Sequence, residues 1–175
     1  MTRIILTQHK FSLIHERHSM TKPINIRKAL NSDHDFILSL SPDLANVAKL
    51  SWHSDNTVLQ MQDKYALEML NNAPEPNITL IAEQDGTPLG FILASSHKDD
   101  ISEEMCGTVN LLAVSSSAQK MGVGKLLINS VEQWAKNQSY RLLHLEVFAN
   151  NSNAQRFYEN LGFEPEMLNM IKPLK

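Results

Sequence analysis

Two glycines at the start of a predicted helix could bring backbone N–H groups to a negatively charged ligand. The turn reads Gln119-Lys120-Met121-Gly122-Val123-Gly124 and is followed by Lys125. It comes after an apolar run, Val109 to Val114, and opens into an amphipathic segment. The first N–H groups of a helix lack partners and carry partial positive charge, so a strand, a glycine turn and a helix together favour an anion. The sequence therefore predicts a phosphate-bearing ligand at this turn.

Two common nucleotide motifs do not fit the turn. The dinucleotide fingerprint requires Gly or Ala where Leu127 stands. The phosphate-loop motif requires Gly in place of Gln119 and Ser or Thr in place of Leu126. A tight strand–helix turn without a ligand is the alternative interpretation, since glycine is also common where a helix packs closely.

A second group of polar and aromatic residues follows the next predicted strand. From Asn151 the chain reads NSNAQRFYENLGF, with Ala154, Tyr158 and Gly162 at helical spacing. The Tyr158 hydroxyl could donate a proton, although its place on an apolar stripe also suits an ordinary core tyrosine. Asn151 is a favourable helix N-cap whatever the function.

The two groups together resemble the GNAT superfamily of N-acetyltransferases. The pattern V-x-x-x-x-Q-x-x-G-x-G from Val114 to Gly124 resembles that family's acyl-CoA pyrophosphate turn. The pattern N-x-x-A-x-x-x-Y-x-x-x-G-F from Asn151 to Phe163 is similar to its second signature. The motifs stand in the family's order and separation, and the resemblance extends from Ile24 to Ile171.

The resemblance implies a fold, a co-substrate and a set of site residues. The fold is α/β, with a mixed, mostly antiparallel sheet flanked by helices and with splayed central strands. Acetyl-CoA would be the co-substrate, its pantetheine arm paired with the edge of the strand before the turn. Tyr158 would protonate the departing thiolate, and a backbone N–H near Leu112 would stabilise the oxyanion. The implied cofactor-binding residues are Leu112, Ala113, Val114, Gln119, Lys120, Met121, Gly122, Val123, Gly124, Lys125, Asn151 and Ala154.

The implied reaction is transfer of an acetyl group to a primary amine, most simply that of a small molecule, by direct attack in a ternary complex. The glutamate that often serves as general base in the family is replaced here by Thr108. A protein N-terminus or a lysine as acceptor, and a sensor that binds acyl-CoA without turnover, are the alternatives. Trp52, Met61 and Tyr65 could line the acceptor pocket. Other candidate bases are Glu103, Glu104, Glu146, His53 and Asp55.

Hydrophobic periodicity predicts the elements that would position these residues. Alternating or continuous apolar runs predict strands, and apolar residues three and four apart predict helices. Asp85-Gly86 between two such runs predicts a hairpin. The predicted order is β-α-α-β-β-β-α-β-α-β, with strands over residues 24–27, 78–83, 89–95, 108–114, 142–148 and 163–171.

The composition limits the possible partners. The chain has 175 residues, is 42% hydrophobic and carries a net charge of −3, so nothing in the charge balance predicts nucleic acid or membrane as a partner. Its single cysteine, Cys106, excludes an internal disulfide and favours a cytoplasmic location. No metal is predicted, because the H-x-x-H pair His15 and His18 lacks an evident third ligand. Residues 1–19 are predicted to be an extension and residues 20–175 the domain, which could form a homodimer.

Overall fold

The computed structural model describes residues 22–47 and 49–174. The predicted extension over residues 1–19, with its His15 and His18 pair, lies outside these residues. The domain boundary and the homodimer therefore remain predictions.

The observed elements follow the predicted order up to the last helix, except that three α-helices rather than two lie between the first and second strands. The strands are β1 (Asn25–Lys28), β2 (Asn77–Gln84), β3 (Thr87–Lys98), β4 (Met105–Val114) and β5 (Leu143–Leu145). The helices are α1 (His34–Ser39), α2 (Ser41–Asn46), α3 (Asp55–Asn72), α4 (Val123–Asn137) and α5 (Ser152–Glu159). Short 3₁₀ turns occupy Asn31–Asp33 and Ser116–Ala118.

The five strands form one sheet in sequence order, β1-β2-β3-β4-β5. The first three pairings are antiparallel and only β4 with β5 is parallel, so the predicted mixed, mostly antiparallel sheet is confirmed. The hairpin between β2 and β3 is confirmed as well. Asp85 and Gly86 both have positive φ, 53° and 76°, as a twisted two-residue hairpin turn requires.

Helices cover both faces of the sheet because the central strands are apolar on both sides. One face packs against α4, whose Val123, Leu127 and Val131 are almost fully buried. The opposite face packs against α1 and α3, with Phe91 of β3 at its centre. Within the described ranges, no helix combines the length and apolar character needed to cross a membrane.

Two strand predictions were wrong. The segment from residue 163 to residue 174 forms no strand; Pro165 and Pro173, which cannot donate a ladder hydrogen bond, bracket its apolar part, and Met167 and Met170 are exposed. The strand predicted over residues 142–148 is only Leu143–Leu145. It is shorter because the chain leaves the sheet after Leu145, and this separation creates the candidate site.

Candidate active site

A cleft opens where β4 and β5 separate. Their pairing stops at Val109 and Leu145, so on this side residues 110–114 of β4 pair with no other described strand. The register of β3 against β4 also shifts at this level, between Leu93 and Ala94, which leaves Asn110 as an extra residue in β4. The cleft has a volume of about 260 Å³. This geometry provides the splayed central strands that the sequence predicted.

The cleft brings together residues from both sequence motifs. Its walls come from β4, the chain after β5, the start of α5, and α2 and α3 on the other side. The predicted residues that line it are Leu112, Ala113, Val114, Gln119, Asn151, Ala154 and Tyr158. The rest of the predicted set, Lys120, Met121, Gly122, Val123, Gly124 and Lys125, lies in the turn and the first turn of α4, outside the lining of this cleft.

The structure requires glycine at positions 122 and 124 for two different reasons. Gly122 is the N-cap of α4 and has φ +81°, a left-handed conformation that a side chain disfavours, while a Cβ there would contact nothing within 4 Å. Gly124 is needed for packing, because a Cβ would lie 3.1 Å from Cζ of Phe157 on α5. Only Gly122 therefore fits the expectation that a missing side chain opens the backbone to a ligand. Gly124 instead lets α4 and α5 approach closely.

The end of α4 that faces the turn retains the features of an anion site. The N–H of Leu126 donates to the carbonyl of Gly122 (3.1 Å), which is the first i to i−4 bond of the helix. The N–H groups of Val123, Gly124 and Lys125 precede it, at positions that have no intrahelical partner. Val123 has its side chain in the core and could contact a ligand only through its backbone.

Tyr158 lies near the C-terminal end of α5, and its ring packs against two other aromatic rings. The ring centroids of Phe157 and Phe163 are 5.2 and 5.7 Å away, both in edge-to-face arrangements. Burial among these apolar groups raises the pKa of the Tyr158 hydroxyl to about 12. The hydroxyl is therefore protonated at neutral pH and is available as a donor.

Asn151 caps α5, as its position in the sequence indicated. Its side-chain Oδ1 accepts a hydrogen bond from the N–H of Ala154 at 3.1 Å. The preceding Asn150 donates from Nδ2 to the carbonyl of Lys49 at 2.8 Å. This bond ties the loop before α5 to the segment that joins α2 to α3, so the two walls of the cleft are linked.

Of the candidate bases, only Glu146 lines the cleft. Glu103 and Glu104 lie at the turn between β3 and β4 and pair with Lys98 and Arg141. The other two candidates, His53 and Asp55, are exposed near the start of α3. Thr108 lies in the paired part of β4, opposite Ser95 and His144.

Sequence reasoning missed three polar residues of the cleft, Asn110, Asp43 and Gln62. Asn110 accepts from Ser95 Oγ at 2.9 Å and donates to the hydroxyl of Tyr65 at 3.4 Å, which reaches in from α3. A polar residue inside the apolar run from Val109 to Val114 was the available signal for Asn110. Asp43 offered none, because its place depends on how α2 packs.

Trp52, Met61 and Tyr65 were predicted to line the acceptor pocket, and their positions support this prediction only in part. Tyr65 contacts Asn110 of the cleft through its hydroxyl. Trp52 and Met61 are 43% and 45% exposed and do not line the cleft.

Comparison with known proteins identifies relatives of the chain. Residues 43–163 match the model of the Acetyltransferase (GNAT) family. A mycothiol acetyltransferase from Jonesia denitrificans is 30% identical over 139 residues, which cover 77% of this chain and 40% of that protein. An aminoglycoside N(6')-acetyltransferase type 1 from Salmonella typhimurium is 32% identical over 89 residues, covering 49% of this chain and 61% of that protein. The chain spans only 38% to 56% of the length of the first three curated relatives that it matches.

A solved structure shares the fold. AAC(6')-Iy, in complex with the bisubstrate analogue CoA-S-monomethyl-acetylneamine, has a TM-score of 0.62 at 21% identity, covering 88% of this chain and 99% of that one. With the family match over residues 43–163, which includes both motifs and the cleft between them, the chain belongs to the GNAT acetyltransferase family.

Proposed function

We propose that the protein is an acetyl-CoA-dependent N-acetyltransferase whose acceptor is the primary amine of a small, cationic molecule. One observation carries this proposal: a single cleft holds the free edge of β4, the Tyr158 side chain and the Glu146 carboxylate. A strand edge, a proton donor and a proton acceptor are the three parts that direct acyl transfer from a thioester to an amine requires.

The cofactor side of the cleft suits the two halves of acetyl-CoA. The unpaired backbone groups of residues 110–114 would pair with the amide groups of the pantetheine arm as if it were an added strand. The turn at Gly122 and the first N–H groups of α4 would receive the pyrophosphate, with Lys120 and Lys125 adding positive charge. Asn151 and Ala154 would contact the arm from the start of α5.

The reaction would proceed through one addition and one elimination. Glu146 would accept a proton from the acceptor ammonium, directly or through water, and the neutral nitrogen would attack the thioester carbonyl carbon. A backbone N–H of β4 near Leu112 would stabilise the oxyanion. The C–S bond would then break, Tyr158 would give its proton to the sulfur to form the CoA thiol, and the surplus proton of the acceptor nitrogen would pass through water to the Tyr158 oxygen, leaving the neutral amide. The apolar surroundings that raise the pKa of Tyr158 also raise the proton affinity of a thiolate formed beside it.

The charge on the acceptor side supports a cationic substrate. Asp43 of α2 and Glu146 both line the cleft and are both exposed. Among the described residues that line it, none is Lys, Arg or His. Two carboxylates without a compensating cation favour an acceptor that carries at least one positive charge besides the reacting amine. The similarity to an aminoglycoside N(6')-acetyltransferase points to the same class.

The test is release of free CoA thiol from acetyl-CoA with a panel of polyamines, aminoglycosides, amino acids and peptides. We expect turnover with polycationic small molecules and less with neutral amino acids. In the Tyr158→Phe variant, kcat should fall about 10²-fold or more while the affinity for CoA stays within a few-fold. Tyr140→Phe is the matched control, because Tyr140 packs against Trp134 away from the cleft and should leave kcat unchanged.

Two results would contradict the proposal. A melting shift with CoA but no thiol release with any amine would favour a sensor. An unchanged kcat in Tyr158→Phe would exclude this residue as the proton donor.

A further inference from the structure

Three titratable side chains meet beside the point where β4 and β5 separate, outside the residues used for acyl transfer. Asp99 follows β3, His144 lies in β5, and Glu166 lies in the segment after α5. One ligand atom from each lies within 4.8 Å of the other two. The distance from Asp99 Oδ1 to His144 Nε2 is 3.8 Å. Residues from three distant parts of the chain thus form one compact group.

Asp99 is held rigidly in this group. Its side chain is 5% exposed, and its Oδ2 accepts the N–H of Ser102 at 2.7 Å. Its backbone closes the turn, with N–H donating to Glu104 and C=O accepting from Glu103, both at 2.9 Å. Rotation of the carboxylate would break its bond to the Ser102 N–H, and its Oδ1 lies 3.8 Å from His144 Nε2.

The negative charges of this group favour a bound cation. Two carboxylates, Asp99 and Glu166, approach each other beside a histidine, and like charges at this range disfavour each other. The basic residues at the two ends of this region, Lys98 and Arg141, pair instead with Glu103 and Glu104.

We propose that Asp99, His144 and Glu166 bind a divalent metal ion of the zinc type. An imidazole nitrogen and two carboxylate oxygens are ligands that Zn²⁺ accepts, and three protein ligands leave a fourth position for water. The imidazole favours zinc over Mg²⁺ and Ca²⁺, which prefer oxygen ligands alone. The donor atoms must close to the roughly 3.3 Å spacing of tetrahedral ligands, and Glu166 is exposed and can move to do so.

The neighbouring residues support an oriented His144. Its ring packs against that of His97 with centroids 5.7 Å apart, which restricts rotation of the imidazole. The buried thiol of Cys106 is near enough that Asp99 and Glu166 help to raise its pKa, after desolvation as the main cause. Because that thiol donates to the carbonyl of His97, it is not one of the proposed ligands.

Such a metal would connect two distant parts of the chain. It would join the segment after α5, which forms no helix or strand after residue 163, to β5 at the level where β5 still pairs with β4. This inference does not depend on the acyl-transfer reaction, which uses no metal in the mechanism above.

The test is titration of the untagged 175-residue chain with Zn²⁺ alone, and separately with Mg²⁺ alone, by isothermal calorimetry. We expect one Zn²⁺ per chain with micromolar affinity or tighter, and much weaker Mg²⁺ binding. Glu166→Gln should weaken Zn²⁺ binding by about tenfold or more, and His144→Gln should abolish it. Glu164→Gln is the matched control: both glutamates are exposed, so neither change should affect folding, and only Glu166 belongs to the group.

Several outcomes would overturn the proposal. The absence of Zn²⁺ binding would refute a metal site at this group. Equal binding of Mg²⁺ and Zn²⁺ would exclude a site defined by an imidazole. If His15→Gln with His18→Gln removed binding and Glu166→Gln did not, the metal would belong to the N-terminal histidines instead.

Discussion

Adding one methyl group at Gly124 should test the contact that positions α4 against α5. A Cβ there would lie 3.1 Å from Cζ of Phe157, with the two Cε atoms at 3.6 and 3.8 Å. Only the closest of these three distances is shorter than ordinary van der Waals contact. The ring must therefore move by a few tenths of an ångström, or α4 must move away from α5.

The magnitude follows from two opposing effects. Overpacking of this kind costs about 1 to 3 kcal/mol in a well-packed site. The change from glycine to alanine in a helix regains at most about 1 kcal/mol, and less in the first turn, where Gly124 lies. We expect Gly124→Ala to lower the free energy of unfolding by about 1 kcal/mol. It should also raise the KM for acetyl-CoA, because Tyr158 and the rest of α5 would shift with Phe157.

Urea unfolding of a double-mutant cycle is the assay. Phe157→Leu removes the ring that the new methyl group would meet. The loss caused by Gly124→Ala should therefore be smaller in the Phe157→Leu background, with a coupling energy of about 0.5 kcal/mol or more. Gly122→Ala is the matched comparison. It meets no atom within 4 Å, and its cost of about 1 kcal/mol from the left-handed backbone should be the same in both backgrounds. If the changes at Gly124 and Phe157 were additive within about 0.3 kcal/mol, the contact would not be what requires glycine at this position.

Two further predictions concern ionisable groups. Glu146→Gln should reduce kcat/KM about 10² to 10⁴-fold in the thiol-release assay with CoA affinity retained, whereas Glu159→Gln on the exposed side of α5 should have no effect; equal activity of the two variants would exclude Glu146 as the base. The Arg27 guanidinium donates to the Asp33 carboxylate at 2.7 and 2.9 Å and lowers the pKa of that buried carboxyl. The ion pair therefore stabilises the fold at pH values above the unfolded-state pKa of about 3.9. This stabilisation is lost as the pH falls through the lower folded-state pKa. Asp33→Asn should therefore cost about 2 kcal/mol at neutral pH, and its difference from the parent chain should shrink in urea unfolding below about pH 4; a difference that does not change with pH would contradict the assigned ion pair.

Features that depend on a few neighbouring residues could be predicted from the sequence. The hairpin at Asp85 and Gly86 and the cap at Asn151 each follow from local backbone chemistry. The order of the strands and their directions followed as well, because the apolar runs were long and the turn signals between them were clear.

Features that depend on how distant elements meet could not be predicted. The contact between Gly124 and Phe157 joins two helices, so the sequence alone could not show that a side chain at position 124 would press against α5. Glu146 was one of several candidate bases until the early separation of β4 and β5 placed it in the cleft. The prediction of a last strand was wrong because a short apolar pattern between two prolines does not show whether the edge of another strand is available for pairing.

The hydrogen bond from Asn150 Nδ2 to the Lys49 carbonyl attaches one wall of the cleft to the other. One wall of the cleft comes from β4 and the chain up to the start of α5, the facing wall comes from α2 and α3, and this side chain to backbone bond spans 101 positions between them. Under the proposed function, substitutions in α2 and α3 would change the choice of acceptor without moving the proposed cofactor-binding residues, as long as the carbonyl of Lys49 stays in place. Because the acceptor is a backbone carbonyl, which every residue type has, this hydrogen bond does not depend on the side chain at position 49. Under that proposal, the wall formed by α2 and α3 can vary in sequence around a fixed point of attachment.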